Sequence, residues 1–411
     1  MRVLIFNSYG EPSRYQSKTG MLGGWQDSLQ TILMEHANLE LIIAFKGSGE
    51  VKKIDGVTYL PIHLNFSRWE RLKSNYTWNI EADKLVKAAK MVVENAQPDV
   101  IHVFGTEWPF GLIADMTNIP TVIHIQGAIG PYYNAFYPPS YNGATYAKAM
   151  CGNIVRYLFY WRARKKQLSR EKMEKKIWQS VNNYMGRTCW DKAVSEVCHP
   201  GRRYWHVDEA LRPLFLNSQR NWQIPKDGKL RIITTGCSTL YKGLDMMLKT
   251  ACMLRRLGVE FEWNVVGAMP NEYRMLVERT EGSTFAEAGI TLFGPVDANQ
   301  LIDLLCNATM YVHTAYIENS PNSLCEAQIL GVPIVSTYVG GISTLLAEGK
   351  EGVLVPANDP YRMAYEIQQL AMDTQRMLTY SELGKVHALN RHNPKRIAHD
   401  LLVCYKSIIN Q

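Results

Sequence analysis

The stretch Glu318-Asn-Ser-Pro-Asn-Ser-Leu-Cys-Glu326 sets two carboxylates around the start of a helix. Ser320 suits an N-cap and Pro321 the first helical position, so the pattern predicts a helix beginning here. The amides of Asn322, Ser323 and Leu324 then fall in its first turn, where N–H groups lack intrahelical acceptors and attract a phosphate or sugar hydroxyls. A carboxylate accepting two vicinal hydroxyls makes charge-assisted hydrogen bonds of about 1.5–3 kcal/mol each. Ribose and hexoses both offer such diols. Two glutamates at this spacing on an ordinary surface helix are simply solvated, so their surroundings decide between the readings.

Further candidates lie at similar places. Lys242 ends the segment Thr234-Thr-Gly236-Cys-Ser-Thr-Leu-Tyr-Lys242-Gly243, which follows a strand pattern and opens a helix, where a cation and helix amides together suit an anion. Arg187, in Gly186-Arg187-Thr-Cys-Trp-Asp191, follows the strand pattern from Asn182 to Met185. Gln126 closes Pro120-Thr-Val-Ile-His-Ile-Gln-Gly127, and His124, two residues earlier, shares its face. We read His124 as a buried strand histidine. Gly23-Gly24 precedes the first helix and reads by itself as a plain turn. Phe293-Gly294-Pro295-Val296 reads by itself as a turn.

The elements that must position these residues alternate between short β-branched runs and helical patterns, the sequence form of parallel sheets covered by helices. Val3 to Phe6, Leu41 to Phe45, Val100 to Phe104 and Thr121 to Ile125 are strands of a first α/β domain, with helices from Trp25 to Glu35 and from Ile80 to Asn95. A helical pattern without proline runs from Tyr146 to Ser180. After a polar, proline-containing linker over 217–229, strands at Arg231 to Thr235, Glu262 to Val266, Thr309 to His313, Pro333 to Ser336 and Val353 to Val355 form a second doubly wound domain over 230–392. Asn393 and Pro394 begin a last helix over 393–411, with Ile397, Leu401, Tyr405 and Ile408 on one face, expected to pack back on the first domain, residues 1–216. Two such domains face each other across a cleft, and in open α/β sheets ligands bind beyond the carboxyl ends of strands. Every candidate above follows a strand or opens a helix.

In this order the motifs resemble the donor-binding half of retaining glycosyltransferase family 4, of the GT-B fold, continuously from about Lys229 to Leu370. The resemblance implies that Glu326 holds the donor ribose, and that Glu318, Ser320 and the following amides hold the transferred sugar. Gly236 and Lys242 match the loop for the donor pyrophosphate, Val296 the loop that contacts the nucleobase, and Gly24 the amides near donor phosphate or acceptor. Two positions depart from the family: Cys237 stands where a phosphate-binding Arg is expected, and Gln126 where His is common, so by the resemblance Gln126 is the sugar contact. Arg187 lies in a motif like that of a subgroup linked to surface polysaccharide, and we expect it, with Arg202 or Arg203, to supply the charge missing at Cys237. The resemblance further implies transfer with retention from a UDP- or GDP-sugar to a glycan or lipid-linked glycan acceptor. On the same fold, a nucleotide-sugar 2-epimerase and an inactive nucleotide-sugar-binding relative are the alternatives.

Composition bounds these readings. At 411 residues, the chain suits two domains under a prior of about 150 residues each. No Asp-x-Asp triplet, His/Cys cluster or CxxC pair occurs, so neither a metal nor a cofactor is expected, the nucleotide sugar being a substrate. The N-terminus is too short in apolar residues for a signal peptide, and no run reaches the ~20 apolar residues of a membrane helix, so a cytoplasmic protein is expected. Of the formal charge of +7, all is matched by the segment Arg156 to Lys176, with nine basic and two acidic residues. Tyr157, Phe159, Tyr160 and Trp161 accompany it, which suits an anionic membrane surface, against the plainer reading of a solvated helix. No recognition motif for nucleic acid accompanies the charge.

Overall fold

A computed structural model describes residues 1–8, 10–16, 24–150 and 154–410. The chain divides into two compact units: residues 1–133, 158–210 and 392–411, and residues 134–157 and 211–391.

The first unit is built on an eight-stranded sheet: β1 (Arg2–Asn7), β2 (Glu40–Lys46), β3 (Lys52–Ile54), β4 (Val57–Ile62), β5 (Val100–Phe104), β6 (Thr121–His124), β7 (Asn183–Gly186) and β8 (Arg203–His206), in the order β3-β4-β2-β1-β5-β6-β7-β8. All neighbours run parallel except β3, which pairs antiparallel with β4 as a short edge strand. Both faces are covered, which is why the central strands are apolar throughout rather than alternating. Val3 and Ile5 of β1 point into one core, with helix α1 (Trp25–His36) and the terminal helix Pro394–Ile409. Leu4 and Phe6 point into the other, with the helix Asn79–Ala96 and the C-terminal half of the long helix Ile154–Ser180. Asn393 caps the terminal helix, accepting from the amides of Lys395 and Arg396, and Ile397, Leu401, Tyr405 and Ile408 are all buried. Its Tyr405 hydroxyl lies 2.7 Å from Nδ1 of His102 on β5, so the helix is fixed by a polar contact as well as by area.

The second unit carries six parallel strands: β9 (Leu230–Thr235), β10 (Phe261–Val266), β11 (Ile290–Gly294), β12 (Met310–His313), β13 (Ile334–Thr337) and β14 (Val353–Val355), in the order β11-β10-β9-β12-β13-β14. The chain winds outward from β9 in one direction and from β12 in the other, so the topological switch point falls between β9 and β12.

Several boundaries differ from those the sequence suggests. The stretch read as one helix from Tyr146 is two, Gly143–Ala149 and Ile154–Ser180, with residues 151–153 outside the described residues. Residues 134–157 group with the second unit, where Tyr141 donates to Glu281 at 2.7 Å and the Ala149 carbonyl accepts from Arg279. Residues 217–229 are not a free linker. Trp222 is buried there, donating from its backbone to the Leu330 carbonyl at 2.8 Å and from its indole to the Ala308 carbonyl at 2.7 Å. Strands β3, β4, β8 and β11 are absent from the sequence reading because they are short or carry Lys, Arg, Pro and Thr among their apolar residues.

Candidate active site

Two loops beyond the switch point of the second unit carry its candidate residues. After β9, Gly236 takes a positive φ of +80°, and a short 3-10 turn, Leu240–Lys242, leads into the helix Leu244–Arg256. After β12, residues 314–321 run to helix α2 (Asn322–Ile329). Hydrogen bonds join the loops: Thr314 Oγ1 donates to the Lys242 carbonyl at 2.8 Å, and the Tyr316 amide to the Tyr241 carbonyl at 2.7 Å. That stitching aims the Lys242 ammonium at Glu318, with which it forms a salt bridge through Oε1.

Glu318 is buried, and its loop is fixed from behind. The Gly341 amide donates to the Glu318 carbonyl at 2.9 Å. At Gly340, φ is +50° and a Cβ would stand 1.8 Å from the same carbonyl oxygen, so only glycine fits. Burial alone would push the Glu318 carboxyl up, but Lys242 and His313 outweigh it and hold the group down at about 2. The ammonium responds in kind: burial opposes its charge, yet Glu318 keeps the Lys242 pKa above the ordinary lysine value. Both groups are therefore charged at neutral pH, a cation and an anion side by side at the mouth of the sheet.

His313 is a member of this group that the sequence reading placed only as a strand end. Its Nε2 lies 3.5 Å from Glu318 Oε1 and its Nδ1 3.2 Å from the Tyr311 hydroxyl, which in turn donates to Ser323 Oγ at 3.0 Å. Tyr311 and His313 share a face of β12 because they are two residues apart, and the chain of contacts runs from Glu318 to the first turn of α2. The period-2 spacing at the strand's carboxyl end was the available signal.

The helix start differs from expectation in two respects. Pro321, not Ser320, is the N-cap residue of α2, with no side-chain cap bond, because Pro321 keeps an extended ψ of 115°. The Leu324 amide donates to the Pro321 carbonyl at 3.0 Å, so it is not a free donor. Asn322 and Ser323 hold the first-turn positions that lack an i−4 acceptor.

Glu326, inside α2, is buried and already engaged. Arg212 donates to it from Nε at 2.6 Å and from Nη2 at 2.7 Å. Arg212 was missed in the sequence, where nothing in the spacing links two residues 114 positions apart. Cys237 is 1% exposed, and burial pushes its thiol up to about 12, so it is neutral and adds no charge beside Lys242. Val296 follows Gly294 in the turn after β11, partly buried, directly before the Asp297-capped helix Ala298–Asn307.

The remaining candidates lie in the first unit, also beyond strand ends. Gly24 is the N-cap of α1, and Gly23 lies outside the described residues. Gln126 is buried, with side-chain Nε2 donating to Ser8 Oγ at 2.6 Å and its backbone carbonyl accepting from Arg187 Nη2 at 2.9 Å. Arg187 is 3% exposed and lies over the Trp25 ring at 4.6 Å. His124 is fully buried, its Nε2 3.2 Å from the Val207 carbonyl, and burial holds it well below the ordinary histidine pKa, so it stays neutral.

Residues 229–373 match the family described as glycosyl transferases group 1. A D-inositol 3-phosphate glycosyltransferase of Paenarthrobacter aurescens is 26% identical over 183 residues, 44% of this chain and 45% of the relative. WcaL of Escherichia coli K12, named for colanic acid biosynthesis, is 30% identical over 179 residues, 42% and 41% of the two chains. The chain thus spans less than half the length of these relatives. Among solved structures, sucrose-phosphate synthase of Thermosynechococcus elongatus superposes with a TM-score of 0.74 at 15% identity, covering 100% of this chain and 99% of that one. Anabaena HepE in complex with UDP-glucose gives 0.66 at 13% identity, covering 99% and 100%. The likeness shows the fold: two Rossmann-like units of the GT-B class.

Proposed function

On a chain whose residues 229–373 match the glycosyl transferases group 1 family and whose two units have the GT-B fold, we propose a transferase that moves a sugar from a nucleoside diphosphate to a glycan or lipid-linked glycan. The observation that carries this reading is the Lys242–Glu318 pair at the β9/β12 switch point. In the proposed reaction the diphosphate leaves with growing negative charge, and stabilising that charge is the enzyme's main task. Lys242 meets it as a fixed cation, joined by the first-turn amides of Asn322 and Ser323; Gly236, whose own amide donates to the Val266 carbonyl at 3.1 Å, leaves the approach clear of a side chain. Glu318 and Ser320 take hydroxyls of the transferred sugar, Glu326 the ribose, and the turn at Val296 the base. We assign the anomeric course to retention and require no metal, since lysine and helix amides supply the positive charge.

Support for a UDP- or GDP-sugar comes from the site chemistry and from the likeness in fold to HepE, solved with UDP-glucose. Support for a role in surface polysaccharide comes from the partial match to WcaL. Arg187 remains our candidate for the charge that Cys237 lacks, and an Arg187→Ala variant with unchanged donor affinity would remove it from that role. Gln126 is assigned as a sugar contact, and the Gly24 amide to the donor phosphate or the acceptor.

No helix of the described residues is long and apolar enough to cross a membrane. We infer peripheral contact with an anionic bilayer at the inner face of the cytoplasmic membrane, through Arg156 to Lys176. In that helix Lys165, Lys172, Lys175 and Lys176 are exposed, and Leu158 and Trp161 are exposed apolar groups. Tyr76 meets Trp161 edge-on, and Trp69 and Leu72, both more than half exposed, lie on the short helix Arg68–Ser74 that precedes Tyr76. The side chains of Arg156, Phe159 and Tyr160 lie outside the described residues.

The test is release of nucleoside diphosphate from a sugar nucleotide by the purified protein. Release stimulated by a glycan acceptor supports transfer, whereas inversion of the donor sugar without acceptor would support an epimerase.

A further inference from the structure

The first unit has its own topological switch point, and a carboxylate with no assigned role sits there. Its strands wind from β1 through β2 to β4 in one direction and from β5 through β6 to β8 in the other, so the point lies between β1 and β5. Ser8 follows β1 and Gly105-Thr106-Glu107 follows β5. The backbone around Glu107 is shaped to its carboxyl group. A Cβ on Gly105 would stand 1.9 Å from Glu107 Oε2, and one on Gly127 3.3 Å from Oε1. With φ +72° at Gly105, two side-chain-free positions form the bed in which this carboxyl lies.

The neighbouring carboxylate is fully used. Glu174 accepts from Thr106 Oγ1 at 2.6 Å and from the Ile129 amide at 2.8 and 2.9 Å. Glu107 differs: Oε2 is covered and has no hydrogen-bond partner among the described residues. Arg170, though close, spends Nη2 on the Glu107 backbone carbonyl at 2.9 Å. A native fold rarely leaves a buried carboxylate oxygen unsatisfied, and such a group asks for a ligand or a functional reason. Gln126 Nε2, 3.1 Å from the same Gly105 position, brings the residue read as a sugar contact next to it.

Resting on the transferase reading above, we propose that Glu107 binds the acceptor: its unpaired carboxylate oxygen accepts the hydrogen bond of a sugar hydroxyl at the β1/β5 switch point, orienting that hydroxyl for transfer. In this proposal water takes the place of that hydroxyl when no acceptor is bound, so transfer to water reports the same contact. The charged groups facing Glu107 are Glu174, Arg170 and Arg187. Burial, with Glu174 beside it, pushes the Glu107 carboxyl up to about 7 against the hydrogen bond from its own backbone amide and the pull of Arg170 and Arg187. Only the ionised group is purely an acceptor, so the contact strengthens as pH rises through that value.

The experiment uses the full chain with UDP-glucose and GDP-mannose, following diphosphate release to water from about pH 5 to about pH 9, together with donor affinity by calorimetry. For Glu107→Gln the expected result is a rate lower by about ten- to a hundredfold and a flattened pH profile, with donor affinity unchanged. A merely structural role would not flatten the profile. A variant that keeps the wild-type rate and profile overturns the assignment and leaves the transferase reading standing. If the wild-type protein neither binds nor turns over either donor, the reading and the assignment fall together. Glu107→Asp, which keeps the charge and withdraws the oxygen, guards against misfolding: an intermediate rate is expected, and failure of both variants to fold would make the carboxyl structural and overturn the proposal.

Discussion

Arg212 grips Glu326 through both carboxylate oxygens, Nε to Oε1 at 2.6 Å and Nη2 to Oε2 at 2.7 Å, inside the second unit. Each oxygen keeps a second lone pair, so under the proposed assignment a ribose diol at Glu326 would share the carboxylate with the guanidinium instead of displacing it. Arg212 thereby fixes the direction in which Glu326 presents its remaining acceptors.

Removing one partner of a buried ion pair strands the other. Arg212→Ala is expected to destabilise the second unit by about 3–5 kcal/mol in denaturant unfolding, and Arg212→Lys to recover only part of this, since lysine has no planar fork.

Acid should weaken the fold through Glu318. Its folded-state pKa of about 2 lies below the ordinary 4.5, so its stabilisation is complete above 4.5 and is lost as pH falls toward 2. Thermal unfolding at stepped pH is expected to show this loss in the wild type. Glu318→Gln should be less stable at neutral pH and less sensitive to acid across the same window.

Gly340→Ala should damage the site without touching any charged group. The new methyl would meet the Glu318 carbonyl at 1.8 Å in a left-handed backbone, so the loop must move. We expect a stability loss of about 2 kcal/mol or more and weaker nucleotide-sugar binding, with Gly349→Ala as a control for positive φ alone, since no atom lies within 4 Å of a Cβ there.

Vesicle sedimentation checks the surface reading. At about 1 kcal/mol per basic residue near an anionic bilayer, binding to phosphatidylglycerol vesicles at low salt should fall steeply with added salt. Replacing Lys172, Lys175 and Lys176 with Glu, or Trp69 with Ala, should weaken it, and phosphatidylcholine vesicles should not bind.

Much of the fold was legible because central parallel strands are apolar on both faces. The strands around Val100, Ile232 and Val353 stand where β-branched runs placed them. Edge strands were less legible: Lys52–Ile54 buries almost nothing, and Arg203–His206 presents Arg and His. At the site, Glu318 and Lys242 were visible as residues after strands, but their pairing depends on the Thr314 and Tyr316 bonds between loops. The partnership of Arg212 with Glu326 and the bed of Gly105 and Gly127 under Glu107 arise from tertiary folding, for which local periodicity holds no signal.

The central claim is that the Lys242–Glu318 site holds a nucleoside diphosphate sugar, and thermal shift against a panel of UDP- and GDP-sugars tests it most directly. A donor at about a hundred times its dissociation constant should stabilise the protein by about 2.7 kcal/mol, and the shift should shrink in Lys242→Ala and Glu318→Gln. A wild-type protein that no nucleotide sugar stabilises, or a shift that survives both substitutions undiminished, would contradict the account.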